Sequence, residues 1–349
     1  MTENKATIFP SFPLKSIKIP ILSLPEDRAL RERLLARYFQ EVFVDCKRVK
    51  DNWNIDLFWP SSSEFYIDPK ITEGVSEWAS NVHVSDIPFS LKNYGKYQES
   101  LNDNWTLYAW GKWWGDLNQR KSLPAKIIIL HLDDHEDFMS PKIYVKDGNL
   151  YDLLTNKLTS IHDLNSIKSA ILSSSIGIGE FILPFLWEIP LKVEIRHLCE
   201  RKRNNSPKSF SLELGSEPDL LQPKFQRLIA KLKPSQALNK SRISYFVTDN
   251  VSELLNISGE DNILLHIDLD YFNDRYDGCS SWREKKRIYD PQKELVSSSL
   301  KNFFEILKAK GLMPYIDNVA VCTSPGFFPC EYWSESLALI RSYVPKKLF

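Results

Sequence analysis

From Ala125 onward the chain alternates short apolar runs with longer stretches of helical spacing. Lys126–Asp133 (KIIILHLD) is an unbroken, Ile-rich run, the pattern of a strand buried on both faces. Further strands are predicted at Lys192–Leu198 (KVEIRHL), 243–248 (ISYFVT), 262–269 (NILLHIDL) and 317–323 (DNVAVCT). Between them the spacing predicts helices over about 164–187, 218–232, a short one after Asp249, then 291–310 and 331–342. Such alternation predicts an α/β fold: a mostly parallel sheet with helices on both faces. In sheets of this kind the working crevice lies beyond the carboxyl ends of the strands.

The first third reads differently. Pro10, Pro13, Pro20 and Pro25 favour extended chain over 8–25. Asp27 then opens a helix with Leu30, Leu34, Leu35, Tyr38 and Phe39 at helical spacing. Residues 50–120 hold seven of the ten tryptophans but show little periodicity. The expected division is therefore an N-terminal, aromatic-rich extension over 1–120, packed on a catalytic core over 121–349. Ala170–Trp187 is mostly apolar, yet Ser173, Ser174, Ser175, Glu180 and Pro184 make it a buried helix in preference to a membrane span. Glu200–Lys208 (ERKRNNSPK) reads as an exposed loop.

Composition narrows the function classes. A length of 349 residues corresponds to about two domains, or one large α/β domain with additions. Lys+Arg and Asp+Glu are both 45, so the basic excess of a nucleic-acid binder is absent. Five widely spaced cysteines without a CxxC pair argue against a disulfide framework or a thiolate zinc site, and fit reduced thiols in a cytoplasm. Met1–Phe9 lacks the pattern of a signal peptide. Ten Trp, 14 Tyr and 19 Phe are enough to suggest a groove that grips a peptide or another organic partner. Oligomeric state stays open.

Two predicted strand ends carry the chemistry. One is His131-Leu-Asp133-Asp134-His135-Glu136-Asp137 and the other His266-Ile-Asp268-Leu-Asp270. Alternation along an extended chain would put Asp133, His135 and Asp137 on one side, and likewise Asp268 and Asp270. Four carboxylates and an imidazole, with no basic residue among them, would repel unless divalent cations join them. Oxygen-rich ligands with an imidazole suit Mn²⁺, and five ligands exceed what a single tetrahedral ion needs, which suggests two ions. His131 and His266 lie deeper in their strands; core histidines hydrogen-bonded near the site are the simpler expectation, direct ligation the other. HExxH, EF-hand, phosphate-loop, GxGxxG and GxSxG patterns are all missing.

DxHxD at 133–137, followed by DxD at 268–270, resembles the arginase/deacetylase superfamily. HLDDHEDF, the segment Ser175–Pro184 (SIGIGEFILP) and Thr323–Pro329 (TSPGFFP) make the chain similar to its peptide-acting branch, the peptide arginases, over roughly residues 125–335. That resemblance implies Mn²⁺-dependent conversion of arginine to ornithine within a ribosomally made precursor peptide, with release of urea. It implies Asp133 and Asp268 as bridging ligands, His135 and Asp270 completing one manganese, and Asp137 serving the other. Asp137 or a histidine such as His135 would shuttle the proton to the leaving amine. The GGDHS-type histidine of free-arginine arginases has no counterpart, which leaves His83, His131 or His266 for the remaining ligand. Their guanidinium-binding Glu is also missing near Cys322, so Glu180 and Glu331 are the candidates for that charge. Two other readings compete: a zinc-dependent amide hydrolase of the deacetylase type, and a non-catalytic peptide-binding module that would use the 196–208 basic loop.

Overall fold

The computed structural model describes residues 6–9, 14–119, 123–199, 208–234, 241–257, 261–279, 281–284 and 289–349. Pro10, Pro13 and the 200–207 part of the expected basic loop lie outside them. At the centre is a 13-stranded sheet. Its middle is a parallel block in the order Tyr97–Ser100, Ile316–Cys322, Asn262–Asp268, Lys126–Leu132, Lys192–Leu198, Ile243–Thr248. Antiparallel strands flank the block on both sides. The sheet is therefore mixed, and the expectation of a mostly parallel sheet is corrected. Among the described residues it contains five parallel pairings against seven antiparallel ones.

The continuous apolar run of Lys126–Leu132 is explained by burial on two sides. Ile128, Leu130 and Leu132 point to a core filled by helices Ile71–Trp78, Lys293–Ala309 and Trp333–Tyr343. Ile127 and Ile129 point to the opposite core, under helices Thr106–Gln119, Leu164–Leu172 and Ile182–Glu188. Trp78, Trp105, Trp110, Trp113 and Trp114 pack in these cores, so most of the tryptophan-rich region is filling. A third core joins helix Arg28–Tyr38, capped by the Asp27 carboxylate, to a separate sheet in the order Ile17–Pro20, Asn52–Phe58, Phe43–Val49.

Two expected helices differ. The stretch 164–187 is two helices, because the chain reverses between them at Ser174 and Gly179, where φ is 62° and 71°. The stretch 218–232 contains no helix: Lys208–Pro218 and Gln226–Pro234 form an antiparallel hairpin. Its Gln, Arg, Leu and Lys residues favour helix in isolation, and pairing against Lys208–Pro218 overrides that weak preference. No described helix is long and apolar enough to cross a membrane, and Ala170–Trp187 is buried or half-buried in the protein core.

Candidate metal centre

Lys126–Leu132 and Asn262–Asp268 are neighbouring parallel strands, so both acidic motifs emerge at one edge of the sheet. The His135 N–H donates to Asp133 Oδ1 at 2.6 Å, and Asp270 N–H to Asp268 Oδ1 at 3.0 Å, which turns each chain back on its own first aspartate. Asp134 N–H reaches Asp270 Oδ1 at 3.2 Å and ties the two turns together. Asp137 takes a positive φ of 53°, so its return to the site comes from this turn and not from extended alternation. His135 Nδ1 lies 2.9 Å from Asp270 Oδ2 and 3.4 Å from Asp133 Oδ1. His131 Nε2 lies 3.8 Å from Asp133 Oδ2 and 3.7 Å from Asp137 Oδ2.

Among the described residues four groups of ligand atoms, each within 4.8 Å of one another, could hold a metal ion, and two of them lie at these strand ends: Asp133, His135 and Asp270; and His131, Asp133, Asp137 and His266. Asp133 belongs to both. Asp268 lies alongside, its carboxylate accepting from the Ser324 hydroxyl. His135, Asp137, Asp268 and Asp270 border a cavity of about 510 Å³, which also meets Asp103, Asp134, Phe138, Met139 and Phe327; Asp133, His131 and His266 lie outside its lining.

The electrostatics agree with a cation-seeking site. Burial, then the charges of Asp137, Asp270 and Asp268, push the Asp133 carboxyl well above the usual range. Burial and the Asp270 charge do the same to Asp268, and burial brings Asp137 up to about 6. Asp133 Oδ2 and Asp137 Oδ2 are buried without a hydrogen-bond partner. Ionised oxygens left that way cost several kcal/mol unless a positive charge joins them. The donor set is therefore that of an oxygen-rich divalent cation site, and the residues fit such an ion.

One further residue belongs here. Asp103 follows the strand Tyr97–Ser100 and opens a short 3-10 turn. Its Oδ2 accepts the Gly179 N–H at 3.0 Å, and its buried Oδ1 has no partner. Burial and the charges of Asp137 and Asp268 raise its carboxyl well above the normal range. Asp103 is thus a candidate for the remaining ligand. In the sequence its only signal is an acid just after a strand end, and that strand was hidden in the weakly periodic aromatic region.

The other candidates fall into place differently. His83 is exposed and does not border the cavity; its backbone N–H donates to the Asp86 carboxylate. Glu180 is buried but committed: Lys142 Nζ holds both its oxygens at 3.0 and 2.9 Å, and the Gly177 N–H adds a third bond at 2.8 Å. Glu331 pairs with Arg275 at 2.7 Å, away from the cavity lining. Both glutamates are therefore corrected as free receptors for a guanidinium. His131 and His266 are fully buried and share a 2.8 Å hydrogen bond between their Nδ1 atoms, in register with His197 on the adjoining strand. Burial lowers all three, His197 to about 4 and His266 to about 3. Burial thus disfavours the charged form of these hydrogen-bonded histidines, while His131 and His266 also stand with Asp133 and Asp137 in a group that could hold an ion. All five cysteines are free thiols. No family model matches the chain, and a search of curated proteins found no match.

Proposed function

We propose that this chain is a Mn²⁺-dependent hydrolase of guanidinium groups, converting arginine side chains within a peptide to ornithine with release of urea. The observation that carries the reading is the convergence of Asp103, Asp137, Asp268 and Asp270 with His135 on one cavity at the carboxyl edge of the sheet, with Asp133 within ligand distance of His135, Asp137 and Asp270. The cavity, at about 510 Å³, has room for a long side chain, and its apolar walls, Phe138, Met139 and Phe327, suit the methylene stem of arginine. The likeness of DxHxD and DxD to the peptide arginases supports the choice of reaction.

In this reading Asp133, His135, Asp268 and Asp270 would hold one ion, and Asp137 with Asp103 would serve the other. Bound Mn²⁺ supplies Lewis acidity that brings the pKa of water down towards neutrality. Hydrolysis adds water at the guanidinium carbon and breaks its bond to the side-chain nitrogen, leaving ornithine and urea. The departing amine needs a proton; Asp137 and His135 both border the cavity and can carry it. The surrounding carboxylates favour a cationic head over a neutral amide by charge alone.

The test combines metal content with product analysis. Purified protein should bind about two Mn²⁺ per chain, and an arginine-containing peptide should release urea and lose one CH₂N₂ of mass per converted residue. Stoichiometric zinc with no response to manganese would favour the amide hydrolase instead. Urea released much faster from free arginine than from any peptide would replace the peptide reading with an ordinary ureohydrolase.

A further inference from the structure

A second cavity, of about 360 Å³, adjoins the first and shares Gln40, Asn102, Ile178, Pro325 and Phe327 with it. Trp59, Phe65 and Tyr66 give it an aromatic wall, and Glu41 is the one charged side chain in its lining. Glu41 is only 8% exposed. Its Oε1 accepts the Ile178 N–H, while its buried Oε2 has no partner. Burial raises this carboxyl to about 7, with the nearby Lys142 charge offsetting only part of the rise. Trp59 Nε1 is a second buried polar atom without a partner in the same wall.

The turn between the cavities is shaped around that carboxylate. A Cβ at Gly177 would fall directly on Glu41, so glycine is what lets the acid come so close. Successive amides then divide the work: Ile178 N–H holds Glu41, and Gly179 N–H holds Asp103. An acid facing aromatic walls beside the metal pocket matches a planar guanidinium, which is weakly hydrated and stacks on rings. The unpartnered indole N–H needs an acceptor, which a polyamine lacks and a peptide carbonyl provides.

We propose that the second cavity is a subsite for a second arginine side chain of the substrate peptide, with Glu41 as its anionic partner and Trp59 Nε1–H donating to the peptide backbone. The inference rests on the peptide reading of the substrate, and extends it to a preference for closely spaced arginines. A charge-assisted hydrogen bond to a buried carboxylate is worth about 1.5–3 kcal/mol, or roughly ten- to hundredfold in affinity.

The experiment uses metal-free full-length protein and labelled peptides that carry one arginine plus, at neighbouring positions, either a second arginine or its neutral isostere citrulline. Fluorescence anisotropy should show the two-arginine peptide binding wild type at least about tenfold more tightly than its citrulline twin. Glu41→Gln should bring that ratio to about one. Trp59→Phe should weaken both twins while keeping the ratio. A wild-type ratio near one, or a ratio that survives Glu41→Gln, overturns the proposal. Loss of binding to single-arginine peptides with no effect of the second arginine also overturns it, since Glu41 would then serve the reacting side chain. Absence of manganese binding or urea release, with the ratio intact, defeats only the hydrolase reading.

Discussion

Replacing Glu41 by glutamine is expected to flatten the fall in folding stability between pH 4.5 and 7. In the folded chain burial raises the Glu41 carboxyl from 4.5 to about 7. Over that window the unfolded chain has already released the proton while the folded chain still holds it. Stability therefore decreases as pH rises, by about 1.4 kcal/mol per pH unit, and the accumulated loss by pH 7 is about 3 kcal/mol. Below pH 4.5 the penalty is absent, and above pH 7 it is complete. Glutamine keeps an oxygen for the Ile178 N–H and has no charge to bury. The metal-site aspartates also lose stability with rising pH, but they are common to both proteins and cancel in the difference. For a chain of 349 residues, 3 kcal/mol corresponds to about 4 °C in Tm. Thermal unfolding of both proteins in chelator at pH 5, 6, 7 and 8 should show the variant gaining on wild type by about that amount. Parallel curves would refute the argument, because they would mean that the Glu41 carboxylate is solvated or neutralised in a way its burial and unpartnered oxygen do not allow.

Asp133→Ala and Asp268→Ala should each abolish urea release and lower bound manganese while leaving the circular dichroism spectrum close to wild type, since the apolar strands fold without the ions. Asp103→Ala should lower manganese from about two to about one per chain by elemental analysis; unchanged stoichiometry would remove Asp103 from the ligand set. Lys142→Met should cost up to about 3–5 kcal/mol in urea denaturation, because it leaves the buried Glu180 carboxylate with only the more distant Arg227, at 3.7 Å. Adding Glu180→Leu to that variant should recover part of the loss.

Five of the six strands of the parallel block were legible, all but Tyr97–Ser100, because burial on two faces writes a run such as KIIILHLD, and the strands at 192–198, 243–248, 262–268 and 316–322 sit within a residue or so of their predicted bounds. The hairpin of Lys208–Pro218 and Gln226–Pro234 was not legible, since its residues favour helix locally and only non-local pairing makes them strand. The site divided along the same line. Asp133, His135, Asp137, Asp268 and Asp270 stand in short motifs at strand ends, so chain-local reasoning brings them together. Asp103 and Glu41 arrive from the aromatic region and from the end of the first helix, and nothing local marks either one. Glu180 looked free because its partner, Lys142, is 38 residues away.

That pairing gives Glu180 a different place in the site. The Lys142–Glu180 ion pair is buried, and such pairs contribute little net stability compared with apolar residues of the same size. Its value lies in the geometry it fixes. Lys142 donates its backbone N–H to Ser175 O at 2.8 Å while its side chain grips Glu180, and Glu180 in turn accepts the Gly177 N–H. Both ends of the 175–180 turn are thereby clamped. Between those clamps sit the two amides that orient Glu41 and Asp103. Two acids with raised pKa values, each holding an unpartnered oxygen beside a cavity, would otherwise drift towards solvent to be hydrated. The glutamate that the sequence suggested as a substrate receptor instead sits one step away, holding in place the turn whose amides bond Glu41 and Asp103.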